Sequence, residues 1–273
     1  MKQLLLVLSL LVSATVPACT IFVVARGGEV FAAGNEDEAN DPSLSEHYVR
    51  FVPASEEKGT LGFVAFGYKK NPFSDEAAMN EAGLFFDYNA LEKLDVPREG
   101  KPKGNFSSVY KMLTTCKNVQ QAVSFLEGLD LPFFSAGQMV VGDATGASAI
   151  IERQATTWRR KGMDYQIGTN FRTSTTPLAQ ITCPRYKTCD ARLGMNKPLT
   201  VDALSQVLNQ VKAAENSGSM TWYSVICDLK RGQVNLYRKG NFERRTTFSL
   251  AEELKRGARK LDMDEFIASQ VSS

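Results

Sequence analysis

The feature that most constrains this chain is an apolar, β-branched run that begins directly after a cysteine. It reads Cys19-Thr20-Ile21-Phe22-Val23-Val24-Ala25, breaks at Arg26-Gly27-Gly28-Glu29, and resumes as Val30-Phe31-Ala32-Ala33. Branched and aromatic side chains favour extended backbone, and the glycine pair supplies positive φ, so the stretch predicts a β-hairpin. A run this apolar must be buried as soon as it forms. The hairpin leads into Gly34-Asn35-Glu36-Asp37-Glu38, an acidic stretch that reads as a loop. Most such loops are simply solvated, and no EF-hand calcium spacing is present. Closing the hairpin nevertheless returns Asp37 to the neighbourhood of Cys19.

Residues 1–18 read as a secretory signal peptide: Lys2 as the basic flank, an apolar run from Leu4 to Val12, and small residues leading to Val16-Pro17-Ala18. That run is too short to span a bilayer, and no later segment approaches ~20 apolar residues. The expectation is an exported protein, periplasmic or secreted, with no stable membrane association after signal cleavage. Cleavage after Ala18 would leave a thiol and a free α-amine on Cys19. The amine, with a reference pKa of about 7.7–8.0, can act as base for its own side chain. The thiol, reference pKa about 8.5, becomes nucleophilic once deprotonated. A competing reading takes Val16-Pro17-Ala18-Cys19 as a lipobox whose cysteine sulfur is lipidated. Pro17 fits that box poorly, and a strand-like run follows where lipoproteins carry a polar tether.

Further along, Tyr48 to Pro53, Leu61 to Gly67 and Met79 to Tyr88 have strand-like composition, with Asn71-Pro72 and Glu81-Ala82-Gly83 as breakers. Pro97 to Gly104 reads as a polar loop, and Asn105-Phe106-Ser107 matches a glycosylation sequon. Helices are predicted over Ser107 to Thr115 and Val119 to Leu126, the latter with Val119, Ala122, Val123 and Leu126 on one face. A hairpin follows, Gln138 to Gly142 and Ala147 to Glu152, then a short strand from Tyr165 that delivers Asn170 at its end. Pro184 sits near N1 of another helix, and Thr200 caps a clearer one carrying Val201, Leu204, Val207, Leu208 and Val211. Thr221 to Asp228 and Gln233 to Arg238 read as a last hairpin, and Ser249 with Glu252 as the capping box of a C-terminal helix. This mixture predicts one α+β domain over residues 19–273, layered in helix and sheet.

The composition, 43% hydrophobic and 23% charged in 273 residues, is that of a globular chain, and a formal net charge of +2 gives no electrostatic reason to expect nucleic acid. Of five cysteines, Cys116, Cys183, Cys189 and Cys227 would remain if Cys19 is a nucleophile. They could form up to two disulfides, Cys183 to Cys189 among them, or stay as buried free thiols. Zinc is not expected, because no second closely spaced cysteine pair exists and there is one histidine, His47. At a strand edge such a histidine is usually a surface residue. The base for a cysteine nucleophile is therefore better sought in the α-amine of Cys19 than in a histidine dyad.

Seven pieces in order carry a resemblance. They are the leader with Cys19-Thr20; Gly34-Asn35-Glu36-Asp37; Met79-Asn80-Glu81-Ala82-Gly83-Leu84; Val141 to Gly146 into Ile151-Glu152; Thr169-Asn170; Cys183-Pro184-Arg185-Tyr186; and Thr221 to Val225. Together the chain resembles the N-terminal nucleophile (Ntn) hydrolases of the choloylglycine hydrolase type, which include bile salt hydrolases and penicillin V acylases. The resemblance implies a four-layer αββα sandwich. It implies Cys19 as nucleophile, Asp37 as the carboxylate beside the terminal amine, Asn170 as oxyanion donor and Arg185 as the basic residue that organises the nucleophile. A further oxyanion contact falls to Asn89, with Tyr88 a near rival because the spacing departs by about one residue. Gly34 departs too: bile salt hydrolases carry an arginine just before this asparagine, which weighs against bile-acid conjugates.

The implied activity is hydrolysis of a linear, non-peptide amide C–N bond through an acyl-thioester, with no cofactor and no metal, on a small-molecule N-acyl amide. An acyltransferase on the same site is the alternative, and a non-enzymatic lipoprotein or binding module lipidated at Cys19 is another; a homo-oligomer is compatible with the sequence. Intact mass and N-terminal sequencing of protein exported by its native host should give an unmodified chain beginning at Cys19. A different start, or a lipid adduct on Cys19, would remove the base and the mechanism with it.

Overall fold

The hairpin expected after Cys19 forms as β1 (Thr20–Arg26) and β2 (Glu29–Ala39), with Thr20 opposite Asn35. Gly27 and Gly28 join them at φ 62° and 84°, the positive pair that a two-residue hairpin turn needs to match strand twist. These strands belong to the computed structural model of the chain, which describes residues 19–70, 75–94, 96–214 and 217–271. The signal-peptide reading and the Asn71-Pro72 breaker lie outside the described residues.

The first correction concerns the acidic stretch. It is no loop: β2 runs through Gly34-Asn35-Glu36-Asp37-Glu38 to Ala39. The reason lies far along the chain, where β11 (Ser219–Asp228) pairs along the free side of β2, from Ser219 opposite Ala39 to Asp228 opposite Phe31. That pairing satisfies the backbone of the acidic residues as strand and buries Glu36 and Asp37.

Two antiparallel sheets result. In the first, β10 (Tyr165–Gly168) lies beside β1, followed by β2, β11, β12 (Gln233–Arg238) and β13 (Asn241–Ser249). The second has eight strands, in the order β14 (Arg259–Asp262), β3 (His47–Val52), β4 (Phe63–Tyr68), β5 (Ala77–Asn80), β6 (Phe85–Ala90), β7 (Gly137–Gly142), β8 (Ser148–Ile151) and β9 (Thr156–Trp158). Strand alternation divides the side chains between layers. Ile21 and Val23 face the second sheet, meeting Phe66, Met79, Phe85 and Val140, whereas Phe22 and Val24 face the other way. There they pack under α3 (Pro184–Leu193) and α4 (Val201–Gln210). Across the second sheet, α1 (Phe106–Thr115) and α2 (Val119–Glu127) cover Phe63, Ala65, Phe86 and Val141. Each of these side chains is at most 1% exposed, and burying one of the larger ones contributes roughly 1.5–3 kcal/mol. The order of layers is helix, sheet, sheet, helix, the αββα sandwich of the Ntn hydrolases.

The Glu81-Ala82-Gly83 breaker divides the Met79 to Tyr88 segment into two strands, β5 and β6, turned by Asn80, whose side-chain amide donates to the carbonyls of Leu113 and Cys116 at 2.8 Å each. Other local readings change. The hairpin of β11 and β12 is not the last, because β13 and β14 follow it. β13 escapes notice because it is an edge strand carrying Glu243, Arg244 and Arg245 in water. Ser249 caps only the six-residue α5 (Leu250–Lys255), and the described residues end in α6 (Met263–Val271). Asn105 of the sequon is the N-cap of α1, accepting from the Ser107 backbone N–H at 2.9 Å.

All five cysteines are free, so no Cys183 to Cys189 bridge exists. Cys183 caps α3 and Cys189 lies on it, and at about 100° per residue a separation of six leaves them on different faces.

Gly83 closes the turn between β5 and β6 at φ 79°, where an added Cβ would collide with the Leu229 carbonyl. Gly83→Ala should lower the unfolding free energy in urea by about 3 kcal/mol or more. Gly28→Asn, at positive φ but with nothing within 4 Å, should cost less than about 1 kcal/mol. Equal costs at the two positions would refute the role given to the Gly83 turn.

Candidate active site

Four elements converge on the start of β1. Antiparallel pairing with β10, Ile21 opposite Gly168, brings Asn170 level with Cys19, and pairing with β2, Thr20 opposite Asn35, sets Glu36 level with Cys19 and Asp37 one residue beyond. α3 contributes Arg185 one residue after its N1 proline, and β6 brings Asn89 across from the other sheet. The five residues singled out from sequence, Cys19, Asp37, Asn170, Arg185 and Asn89, are thus assembled in one place.

The contacts are specific. The thiol of Cys19, a residue 5% exposed, donates to the Asp37 carbonyl at 3.6 Å. Arg185 uses one guanidinium nitrogen on the Cys19 carbonyl at 2.7 Å and on Thr20 Oγ1 at 2.8 Å. Its other terminal nitrogen donates to Asn170 Oδ1 at 2.8 Å. Asn170 in turn donates to the Ala90 carbonyl at 2.7 Å. Asn89, rather than its neighbour Tyr88, reaches the nucleophile residue, donating to the Cys19 carbonyl at 3.1 Å. Gln138 braces this arrangement by donating to Asn89 Oδ1 at 3.3 Å and to the Thr169 carbonyl at 2.6 Å.

Asp37 is fully buried and its carboxyl pKa is pushed up to about 6 by burial, against the pull of the Thr221 hydroxyl and of Arg185. Thr221 donates to Oδ1, while Oδ2 has no partner among the described residues. The Cys19 thiol is pushed well above its ordinary value, by burial first and then by Glu36, Asp37 and Asp87. A thiol in this setting stays protonated until a base adjoins it.

His47 is not the surface residue expected. It is fully buried, ringed by Tyr68, Trp222 and Tyr223, and burial followed by the charge of Arg238 pushes its pKa down to about 4. Sequence reasoning assigned no role to Thr20, Gln138, Thr221, Glu36 or Asp87. Thr20 and Thr221 stood within quoted motifs, but only tertiary pairing assigns their partners. Glu36 accepts from the Tyr68 hydroxyl at 2.6 Å, and burial, then Glu76 and Asp87, raise its pKa. Asp87 projects from β6 against Gly34, where any Cβ would collide with its carboxylate. Position 34 therefore has no room for a larger side chain.

A cavity of about 290 Å³ opens in front of Cys19, lined also by Glu36, Glu38, Tyr68, Lys70, Glu76 and Tyr88. A larger one of about 470 Å³ lies between the edge of β10 and α3, and Cys19 does not line it. Pro97, from the polar loop, borders a third, away from Cys19. No group of acidic, histidine or cysteine side chains suited to a metal ion occurs among the described residues.

Residues 24–185 match the family model described as acyl-coenzyme A:6-aminopenicillanic acid acyl-transferase. No curated protein matches the chain significantly in sequence. Among solved structures, a variant of conjugated bile acid hydrolase from Clostridium perfringens superposes with a TM-score of 0.66 at 14% identity, over 89% of this chain and 96% of that one. A second mutant of the same hydrolase gives 0.66 at 13%, over the same shares. Penicillin V acylase from Agrobacterium tumefaciens gives 0.63 at 14%, over 90% and 91%. At these identities the likeness speaks to the fold.

Because folding raises the Asp37 pKa from 3.8 to about 6, its contribution to stability is complete in acid and is lost as pH rises through 6. In the full-length chain, with the Ala18–Cys19 bond intact, wild type should therefore lose about 2 kcal/mol relative to Asp37→Asn between pH 4 and pH 7. Denaturant titrations at the two pH values check this. A stability difference independent of pH would refute the shift.

Proposed function

Since the chain belongs to the acyl-coenzyme A:6-aminopenicillanic acid acyl-transferase family, we propose that it is an exported amidase that hydrolyses a linear C–N amide bond with Cys19 as N-terminal nucleophile. The observation that carries this reading is the convergence on Cys19: Arg185 and Asn89 both donate to its carbonyl, and Asp37 beside it keeps a buried carboxylate oxygen without a partner among the described residues. That oxygen suits an α-ammonium, which is what removal of residues 1–18 would create. The bile acid hydrolase and penicillin V acylase that share the fold are themselves named for amide-cleaving activities.

The chemistry follows from the groups present. The free α-amine of Cys19 takes the thiol proton, and sulfur attacks the amide carbonyl. Asn170, with a second contact from Asn89, stabilises the oxyanion; losing one such donor typically costs about 2.7–4 kcal/mol. The ammonium returns its proton to the departing amine as the C–N bond breaks, leaving an acyl-thioester. Water, deprotonated by the same α-amine, attacks the thioester and releases the acid and the thiol. Asp37 and Arg185 hold the nucleophile residue in place and tune its charge. Burial of Cys19 immediately before a buried strand favours a free thiol over a lipidated one, since no tether separates them.

The family description favours one second reading, acyl transfer, in which an amine or thiol takes the place of water. Cys19→Ala should abolish turnover of N-acyl amides while the unfolding midpoint stays within a few degrees of wild type. Full activity in correctly processed Cys19→Ala protein would overturn the nucleophile assignment. Product analysis with and without an added amine acceptor separates hydrolysis from transfer.

A further inference from the structure

The cavity in front of Cys19 has a sign. Among its described lining residues are three carboxylates, Glu36, Glu38 and Glu76, against one ammonium, Lys70. Lys70 points to the rim, where its ammonium donates to Ser43 Oγ at 3.2 Å. Behind the lining stand two more carboxylates, Asp37 and Asp87, both buried. The nearby cations are engaged elsewhere: Arg185 with Cys19, Thr20 and Asn170, and Arg50 with Asp75. His47 is held neutral by burial.

A second observation concerns two buried hydroxyls, of which Tyr88 lines the cavity. Tyr223, 2% exposed, has no hydrogen-bond partner for its hydroxyl among the described residues, and burial first, then the charges of Glu36, Asp87, Glu76 and Cys19, hold that hydroxyl protonated. Tyr88 lines the cavity with its own hydroxyl buried and without a partner among the described residues. Buried polar groups are seldom left without partners, so the Tyr88 hydroxyl at this cavity points to a ligand that completes it.

We propose, building on the amidase reading above, that the amides taken by this site carry an ammonium or guanidinium group, held in the cavity by Glu36, Glu38 and Glu76. Carboxylates crowded in low dielectric can be neutralised by protons or by a cation, and a cationic substrate does the second. It also serves the chemistry. Thiolate formation at Cys19 is opposed by burial first and then by the field of Glu36, Asp37 and Asp87, and a substrate cation offsets that field only when substrate is bound. Substrates bearing a carboxylate at this position would instead add a like charge. At about 290 Å³ the cavity lies just below the usual range of about 300–1,000 Å³ for ligand pockets, which suits a short amine or acyl chain.

The test uses the processed protein and two matched sets of amides. One varies the acyl half: the 4-nitroanilides of 6-aminohexanoic, hexanoic and adipic acids. The other varies the amine half: N-acetyl-1,5-diaminopentane, N-acetylpentylamine and N-acetyl-5-aminopentanoate. In at least one half the cationic member should exceed its neutral isostere at least tenfold and its anionic analogue about a hundredfold in kcat/KM, mainly through KM. The double variant Glu38→Gln/Glu76→Gln should shrink the cation's advantage over the neutral isostere to less than twofold, with an unchanged unfolding midpoint. Neutral or anionic amides turned over as well as cationic ones in both halves, or an advantage retained in the double variant, would overturn the proposal. If no amide is turned over, the amidase reading fails, and charge preference is then read by calorimetry. Tenfold tighter binding of N-acetyl-1,5-diaminopentane than of N-acetylpentylamine would sustain the cation site, and equal binding would overturn it.

Discussion

The guanidinium of Arg185 is the contact on which the site depends. One planar group holds the carbonyl of Cys19, the hydroxyl of Thr20 and the side-chain oxygen of Asn170. It thereby ties the first two residues of the Cys19–Arg26 stretch to the segment after β10 and to the first turn of α3. A lysine could not reproduce this, because an ammonium lacks the fixed fork that spans three acceptors. Since Asn170 is in turn bonded to Ala90, and Asn89 to the Cys19 carbonyl, the same network couples the two sheets at the cavity. Elsewhere the sheets meet largely through apolar side chains, and here they are joined by directional bonds.

Burial at the site works against charge. Asp37, Glu36, Asp87 and the Cys19 thiol all have pKa values raised by desolvation, so the surroundings by themselves favour neutral groups. A terminal ammonium would reverse this locally for Asp37. The arrangement therefore holds its carboxylates in an environment that a cation, from the chain or from a ligand, completes. Gly34 permits it, because only a residue without a side chain leaves space for the Asp87 carboxylate.

Much of this was legible in the sequence, and the limits are instructive. Local signals carried far: the Gly27-Gly28 turn, the stripe of Val119, Ala122, Val123 and Leu126, and the Thr200 cap all correspond to observed elements. The five candidate site residues, taken from a family resemblance, come together in space. Non-local pairing was invisible. The acidic residues 34–38 read as a loop because no local pattern announces β11, whose pairing makes them strand. His47 failed for the same reason, since its aromatic cage is drawn partly from Trp222 and Tyr223. In the carboxylate cluster, the pairing of β5 with β6, Ala77 opposite Asp87, brings Glu76 to Asp87, and sheet-on-sheet packing adds Glu36 of β2.

β1 lies inside its sheet, hydrogen-bonded to β10 on one side and β2 on the other from its first residues. Chain ends normally fray, and a terminus that served as catalytic base would be disordered by that motion. Here the strand holds Cys19 at a fixed height whatever precedes it, and the register does not shift with the position of a cut. On the proposed amidase reading, a leader trimmed one residue short or long would give a molecule that keeps this strand register and is chemically silent. The active fraction of a preparation is then, on the same reading, a measure of proteolytic accuracy, which stability measurements would not detect.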